Sequence, residues 1–329
     1  MKTSPAIERL RERWKEWIKS RRDWPNPVTH MFIQDVHAFI IPYRRQRTPP
    51  ITARCEGNGD HVAIALRSLR RLASHSLNEN DTTEIVCEAV RTIVQNMLWR
   101  GYAAFEIGEM ATDDSDSYGR VMRGDWEDRP YRPLNALHYG WMVRLPRLTI
   151  GVVAAARRRW DREGSRVRVH RAKRTWLVDM PRPLGGRLGY WWAMKKLHRF
   201  SSVFPEWTAD ALVGEQNQLR FDVARYSQWR AAYRALAVKR WSWNGRDTSL
   251  THQTEFFSFY RTLGFHHALA TLREHVIAEL NLLLNRRLGL DVRISIEGLQ
   301  TANEILAIRS KMERGEVSIG DAFEQAVGI

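Results

Sequence analysis

Apolar and polar positions follow two periods along this chain, and helical spacing dominates its C-terminal half. Near the start, Ile7, Leu10, Trp14, Trp17 and Ile18 fall on one face of a predicted charged amphipathic helix over residues 5–22. Pro25 and Pro27 end it, because the residue before a proline avoids helical geometry. A mixed segment to Tyr43 follows, then a basic, proline-ended loop over 44–50. The Gly and Asn content of 55–60 predicts a turn into a helix over 61–73. A second helix is predicted from Asp81 to about Trp99, with Asp81 or Thr82 as N-cap and Gly101 as stop.

Alternation with period two then takes over. Residues 102–107 read as a strand directly after the helix stop, 110–133 as an acidic loop, and 137–145, 167–170 and 175–178 as further strands. A helix over 152–161 is expected between them. The run 180–186, with two prolines and two glycines, is a firm break. Beyond it helices are predicted over 190–203, 221–239 and 251–284, the last interrupted at Gly264 and ended by Gly289. A short strand over 292–296 precedes a final helix from Thr301 to Arg314, where Thr301 and Glu304 have capping-box spacing and Gly315 closes the helix. Residues 318–326 make a last helical turn, and the whole reads as an α+β chain.

Charge adds an asymmetry. The 329 residues carry a net charge of +15. Residues 120–174 hold 15 Lys/Arg against 5 Asp/Glu, whereas 297–329 hold 3 against 6, so different regions are expected to face different partners. A strongly basic surface attracts polyanions, with double-stranded DNA or RNA the default. The 14 Trp often sit beside Arg or Lys, as at Arg13-Trp14-Lys15, and both residue types are enriched at protein interfaces. No apolar run approaches the roughly 20 residues that span a bilayer, and the N-terminus lacks the apolar core of a secretory signal, so a cytosolic product without membrane contact is expected. Cys55 and Cys87 are too few for a disulfide framework or a thiolate metal cage and are expected to be reduced.

Candidate chemistry is sparse. There is no phosphate-binding Gly-rich loop and no dinucleotide fingerprint. His267 and His275 are eight residues apart, whereas helical zinc ligands are usually four apart, and position 271 is a threonine. Asp179, Asp222, Asp247 and Glu255 follow no spacing that forces a two-metal centre. A non-enzyme without cofactor or metal is the expectation. The aromatic cluster Phe256, Phe257, Phe259 and Tyr260 reads as core or subunit interface.

The order of features from Arg246 onward resembles the C-terminal part of tailed-phage portal proteins. The shared order is a Thr/Ser-Gln approach, an aromatic-Tyr-Arg helix, a helix ending in Leu-Asn at Asn281, an extended turn, and a helix closed by Gly315 to Ala322. The stretch 93–107 is similar to the helix–Gly–Tyr–strand unit of that family's wing, with Gly101 and Tyr102 in the matching places. Together these cover about a third of the chain.

The resemblance implies a wing-like α/β domain over 1–185, stem helices with a short clip over 186–240, a tunnel loop and long kinked helix over 241–290, and a C-terminal strand with crown-side helices over 291–329. It implies a structural protein of the virion, made in the host cytoplasm, that forms a homo-oligomeric ring of about twelve copies at one capsid vertex. Double-stranded DNA would pass through the ring, and the large terminase subunit, head–tail adaptor or connector proteins and the major capsid protein would bind it. Arg246, Asp247, Thr248, Thr251 and Gln253 are the tunnel-loop candidates, and Phe256, Phe257, Tyr260 and Leu280 the inter-subunit candidates. Arg157, Arg158, Arg159, Arg171, Lys173 and Arg174 are the candidates for a basic face toward DNA or capsid. The proposed stem helices are separated by residues 205–220, short for the family's clip. The alternative from charge and Arg/Trp content is a basic nucleic-acid-binding accessory protein of phage replication or packaging; a metal-dependent nuclease is a third reading.

Overall fold

A computed structural model describes residues 27–42, 50–70, 72, 81–107, 134–136, 141–144, 148–152, 167–171, 175–203, 238–243 and 255–327. The protein is a mostly helical α+β chain with small sheets. It divides into two compact units, the first made of Met1–Trp24 and Ala103–Leu177, the second of Pro25–Tyr102 and Val178–Ile329. This grouping differs from a sequential division because strands far apart in the chain pair with each other.

In the first unit, β2 (Tyr102–Ile107) pairs antiparallel with β3 (Leu134–Ala136) and neighbours β7 (Thr175–Asp179). A second sheet has the order β4 (Trp141–Arg144), β5 (Leu148–Val152), β6 (Val167–Arg171), antiparallel throughout. The strand β5 was not among the predicted strands, and Val152, expected to open a helix, ends it. Phe105 and Trp176 meet at 5.2 Å with their rings tilted by 30°, and both are buried.

The second unit holds the helices. The segment expected to be mixed is helix α1 (Pro27–Ile40): Pro27 suits a first helical position, and Phe32, Val36 and Ile40, one turn apart, are wholly buried. The first half of the expected turn, residues 55–57, instead ends β1 (Thr52–Gly57), which pairs antiparallel with β8 (Val292–Glu297) in the register Thr52↔Glu297 to Gly57↔Val292. The turn is confined to the end of β1, where Gly57 takes a positive φ and packs against the Asp291 carbonyl. Helices α2 (Gly59–Arg70) and α3 (Thr82–Arg100) follow. As the sequence predicts, Asp81 caps α3 by accepting from the Thr83 and Glu84 amides, and left-handed Gly101 ends it. Thr83 Oγ1 accepts from the Ala53 amide at 3.1 Å, tying α3 to β1.

After a 3-10 turn at Arg182–Leu184, helix α4 (Gly186–Val203) starts four residues earlier than expected. The turn Lys239–Trp241 brings Trp241 and Trp243 into the core, with Phe32 edge-on to each at 5.3 Å. The Trp243 indole donates to Asp35 at 2.8 Å. Helix α5 (Glu255–Leu282) is about 42 Å long and central, meeting α1, α3, β8, α6 (Ala302–Glu313) and α7 (Ile319–Val327). It runs unbroken through Gly264 and then widens into a π-turn at Leu283–Arg287. Gly264 lies inside α5 where it faces Ser242 and a larger residue has no room, so the expected interruption is a packing site instead.

Candidate functional site

The first turns of α5 carry the aromatic cluster, and packing splits it into two roles. Phe259 meets Phe323 of α7 at 5.1 Å, edge to face. Tyr260 lies beneath the Arg309 guanidinium at 3.7 Å and borders an apolar cluster of Leu263, Ile308, Met312, Ala322 and Ala326. These two rings therefore hold α6 and α7 onto α5. Phe256 and Phe257 instead remain 40% and 47% exposed, although Phe256 stacks on Tyr260 at 6.0 Å. An exposed ring braced by a half-buried one is a rigid contact surface that loses little entropy on binding.

Leu280 is fully buried within the second unit, so it packs inside the subunit and is removed from the interface candidates. Asn281 beside it has a clear structural task. Its side-chain amide donates to the Ile294 carbonyl at 3.0 Å and its oxygen accepts from the Ile294 amide at 2.8 Å. Asn285, one turn on, donates to the Val292 carbonyl at 2.8 Å. The pair fixes β8 against the end of α5 as a neighbouring strand would, because each amide copies the donor and acceptor of a peptide. A cleft of about 480 Å³ lies here between Glu56, Gly57, Asn281, Asn285, Asp291, Val292 and Arg293. Its asparagine amides already serve the backbone.

Beyond β8, Thr301 caps α6 as the sequence predicts. Its hydroxyl accepts from the Glu304 amide at 3.2 Å, and Glu304 accepts from the Thr301 amide at 2.8 Å. The Thr301 amide, and the Thr301 hydroxyl donating to the same carboxylate at 2.9 Å, hold the Glu304 pKa below its ordinary value. Glu274 of α5 adds a bond from the Ala302 amide at 2.7 Å. Left-handed Gly315 separates α6 from α7.

The histidines of α5 are held singly. The His275 ring nitrogen Nε2 is 2.9 Å from the Asp179 carbonyl, His266 meets the Phe39 ring at 6.4 Å, and burial followed by the Arg309 charge lowers the His267 pKa. Among the described residues no three His, Cys, Asp or Glu side chains gather to hold a metal ion. Asp179 lies 3.9 Å from the Arg187 guanidinium, Glu255 opens α5, and Asp222 and Asp247 lie outside the described residues. Cys55 is half-buried and Cys87 buried, and neither forms a disulfide. No described helix is long and apolar enough to cross a membrane.

The tunnel-loop candidates Arg246, Asp247, Thr248, Thr251 and Gln253, and the basic candidates Arg157, Arg158, Arg159, Lys173 and Arg174, lie outside the described residues, as do the helix expected over 5–22 and most of that expected over 221–239. Arg171 ends β6, opposite Leu148 in register. Residues not singled out from sequence are Leu188 and Trp192 of α4, 71% and 52% exposed. Their signal was present in the chain, since α4 carries apolar residues on two faces. Compared with models of protein families, with curated proteins and with solved structures, the chain finds no match in any of the three.

Proposed function

We propose that this chain is the portal subunit of a tailed phage, a structural protein that assembles into a closed ring, of about twelve copies in this family, at one capsid vertex. The ring is the channel through which double-stranded DNA is packaged and ejected. It docks the large terminase subunit during packaging and head–tail connector proteins afterwards, and sits against the major capsid protein. The observation that carries this reading is the order of the C-terminal features: aromatic-led helix α5, the Asn281 clamp on β8, capped α6, left-handed Gly315 and α7 follow one another as in the resemblance. That module also exposes Phe256 and Phe257, as a subunit needing neighbours does. A ring protein acts through its interfaces, and the reading asks for no reaction at the histidines or carboxylates.

Sedimentation velocity and negative-stain electron microscopy of the purified full chain test the reading. Closed rings of uniform size are expected. A stable monomer at micromolar concentration overturns it, and if that monomer binds DNA with a steep salt dependence, the accessory-protein reading replaces it.

A further inference from the structure

We propose that the exposed stripe Leu188, Trp192 and Lys196 on α4 is one half of a head-to-tail contact between copies of this chain, the other half being Phe256 and Phe257 with the acidic edge of α7. This rests on the ring reading above and adds which surfaces meet.

Helix α4 has two stripes. Tyr190, Met194 and Leu197 are fully buried in the second unit. On another face, Leu188, Trp192 and Lys196 are spaced by four residues and all are exposed, Leu188 at 71% and Trp192 at 52%. A helix that is apolar on more than one side belongs to a fold in which more than one side is covered. Trp192 is held in place, with Trp191 at 4.8 Å and the Lys195 ammonium 5.2 Å from its ring centre. An exposed, preorganised tryptophan is the commonest kind of interface anchor.

Charge selects the occupant. Lys195 and Lys196 make the α4 stripe basic. Helix α7 meets the same end of α5 through Phe323 on Phe259, and it carries exposed Asp321 and Glu324 on either side of Phe323 in sequence. Aromatic rings with an acidic edge suit a Leu–Trp stripe with a lysine edge. A leucine this exposed offers nothing to a phosphate backbone, which argues for protein over nucleic acid.

The two surfaces are separate. His275 of α5 and Arg187 of α4 both reach Asp179, so α4 begins beside His275. Phe256 lies about 28 Å farther up α5 by helical rise. Two different patches on one subunit give a heterologous contact, which forms a ring when its rotation closes, whereas one patch meeting itself gives only a dimer.

Sedimentation of the full chain across a dilution series tests this, with thermal unfolding as the fold control. Leu188→Ser/Trp192→Ser should unfold like the parent yet need roughly tenfold or more protein to assemble. Lys196→Glu should weaken assembly, and adding Asp321→Lys and Glu324→Lys to the same chain should restore it. Undiminished assembly of both variants overturns the contact, as does a failure of the charge exchange to restore. Normal assembly with weakened retention of duplex DNA would make the stripe a polyanion contact and also overturn it. A parent chain that is itself monomeric refutes the ring reading, a result distinct from all of these.

Discussion

Gly264 sits so close to Ser242 that a Cβ on the glycine would lie 2.5 Å from the serine Oγ and 2.8 Å from its Cβ. Ser242 is also the one described non-glycine residue with positive φ, at 51°. The pair locks the Trp241–Trp243 turn against α5. In an exposed helix Gly→Ala would gain about 1 kcal/mol. Here Gly264→Ala is expected to destabilise by about 1–3 kcal/mol through overpacking. Ser242→Gly relieves both the contact and the backbone, so the double variant should recover the loss and add the helical gain. Urea unfolding of the two single variants and the double variant measures the coupling; additive effects would refute the contact.

Arg91 of α3, almost fully buried, pairs with Glu88 and donates through Nε and Nη2 to the Ile41 carbonyl at 3.1 and 2.7 Å. Arg273 of α5 donates to the preceding Ile40 carbonyl at 3.3 Å. Two cations thus serve the C-terminal end of α1, where free carbonyls and the helix dipole favour positive charge. Arg91→Met keeps much of the volume but leaves the Ile41 carbonyl short of donors, so a loss of about 1.5–3 kcal/mol is expected. Hydrogen exchange should show the last turn of α1 losing most of its protection. Uniform loss across the second unit would assign Arg91 a general packing role.

Removing the Thr301 cap by Thr301→Ala should cost about 1 kcal/mol. Glu304 adds a pH signature. Its folded-state pKa lies below the ordinary 4.5, so its contribution is present above that value and fades as pH falls through the folded pKa. Glu304→Gln should flatten this acid limb by lowering stability near neutral pH while leaving stability in acid little changed, as chemical denaturation at stepped pH will show.

His37 and His267 give a second, milder pH dependence. Burial is the main cause of both lowered pKa values, with Arg91 and Arg309 adding to it and Glu88 and Glu274 opposing it. The unfolded chain therefore takes up protons first as pH falls below the ordinary 6.5. The contribution of these two groups should be constant above that pH and decline as pH falls below it, until the lowered folded-state values are passed. His37→Gln/His267→Gln should remove most of this decline. An unchanged slope would assign it to other groups.

Elements governed by neighbours in sequence were legible before the structure. Asp81 and Gly101 bound α3, Thr301 and Glu304 cap α6, and Gly315 closes it, because each acts within one helical turn. What escaped depends on distant partners. Cys55 to Gly57 have the composition of a turn but form a strand because β8 supplies the edge. Gly264 has the composition of a break but is an accommodation to Ser242. Within the site, the aromatic character of 256–260 was visible, but its division was not: Tyr260 turns inward because Arg309 and Leu263 meet it, while Phe256 and Phe257 stay exposed. Leu280 looked like an interface residue because periodicity cannot tell a face that meets its own chain from one that meets another.

The pairing of β1 with β8 also sets an order of events during synthesis. Thr52 is made long before Glu297, so β1 has no partner until the helices between them, α2 to α5, have all been made. Contacts between segments so far apart are the slowest to form. The Asn281 clamp needs β8 as well, so the platform beneath α6 and α7 is completed last.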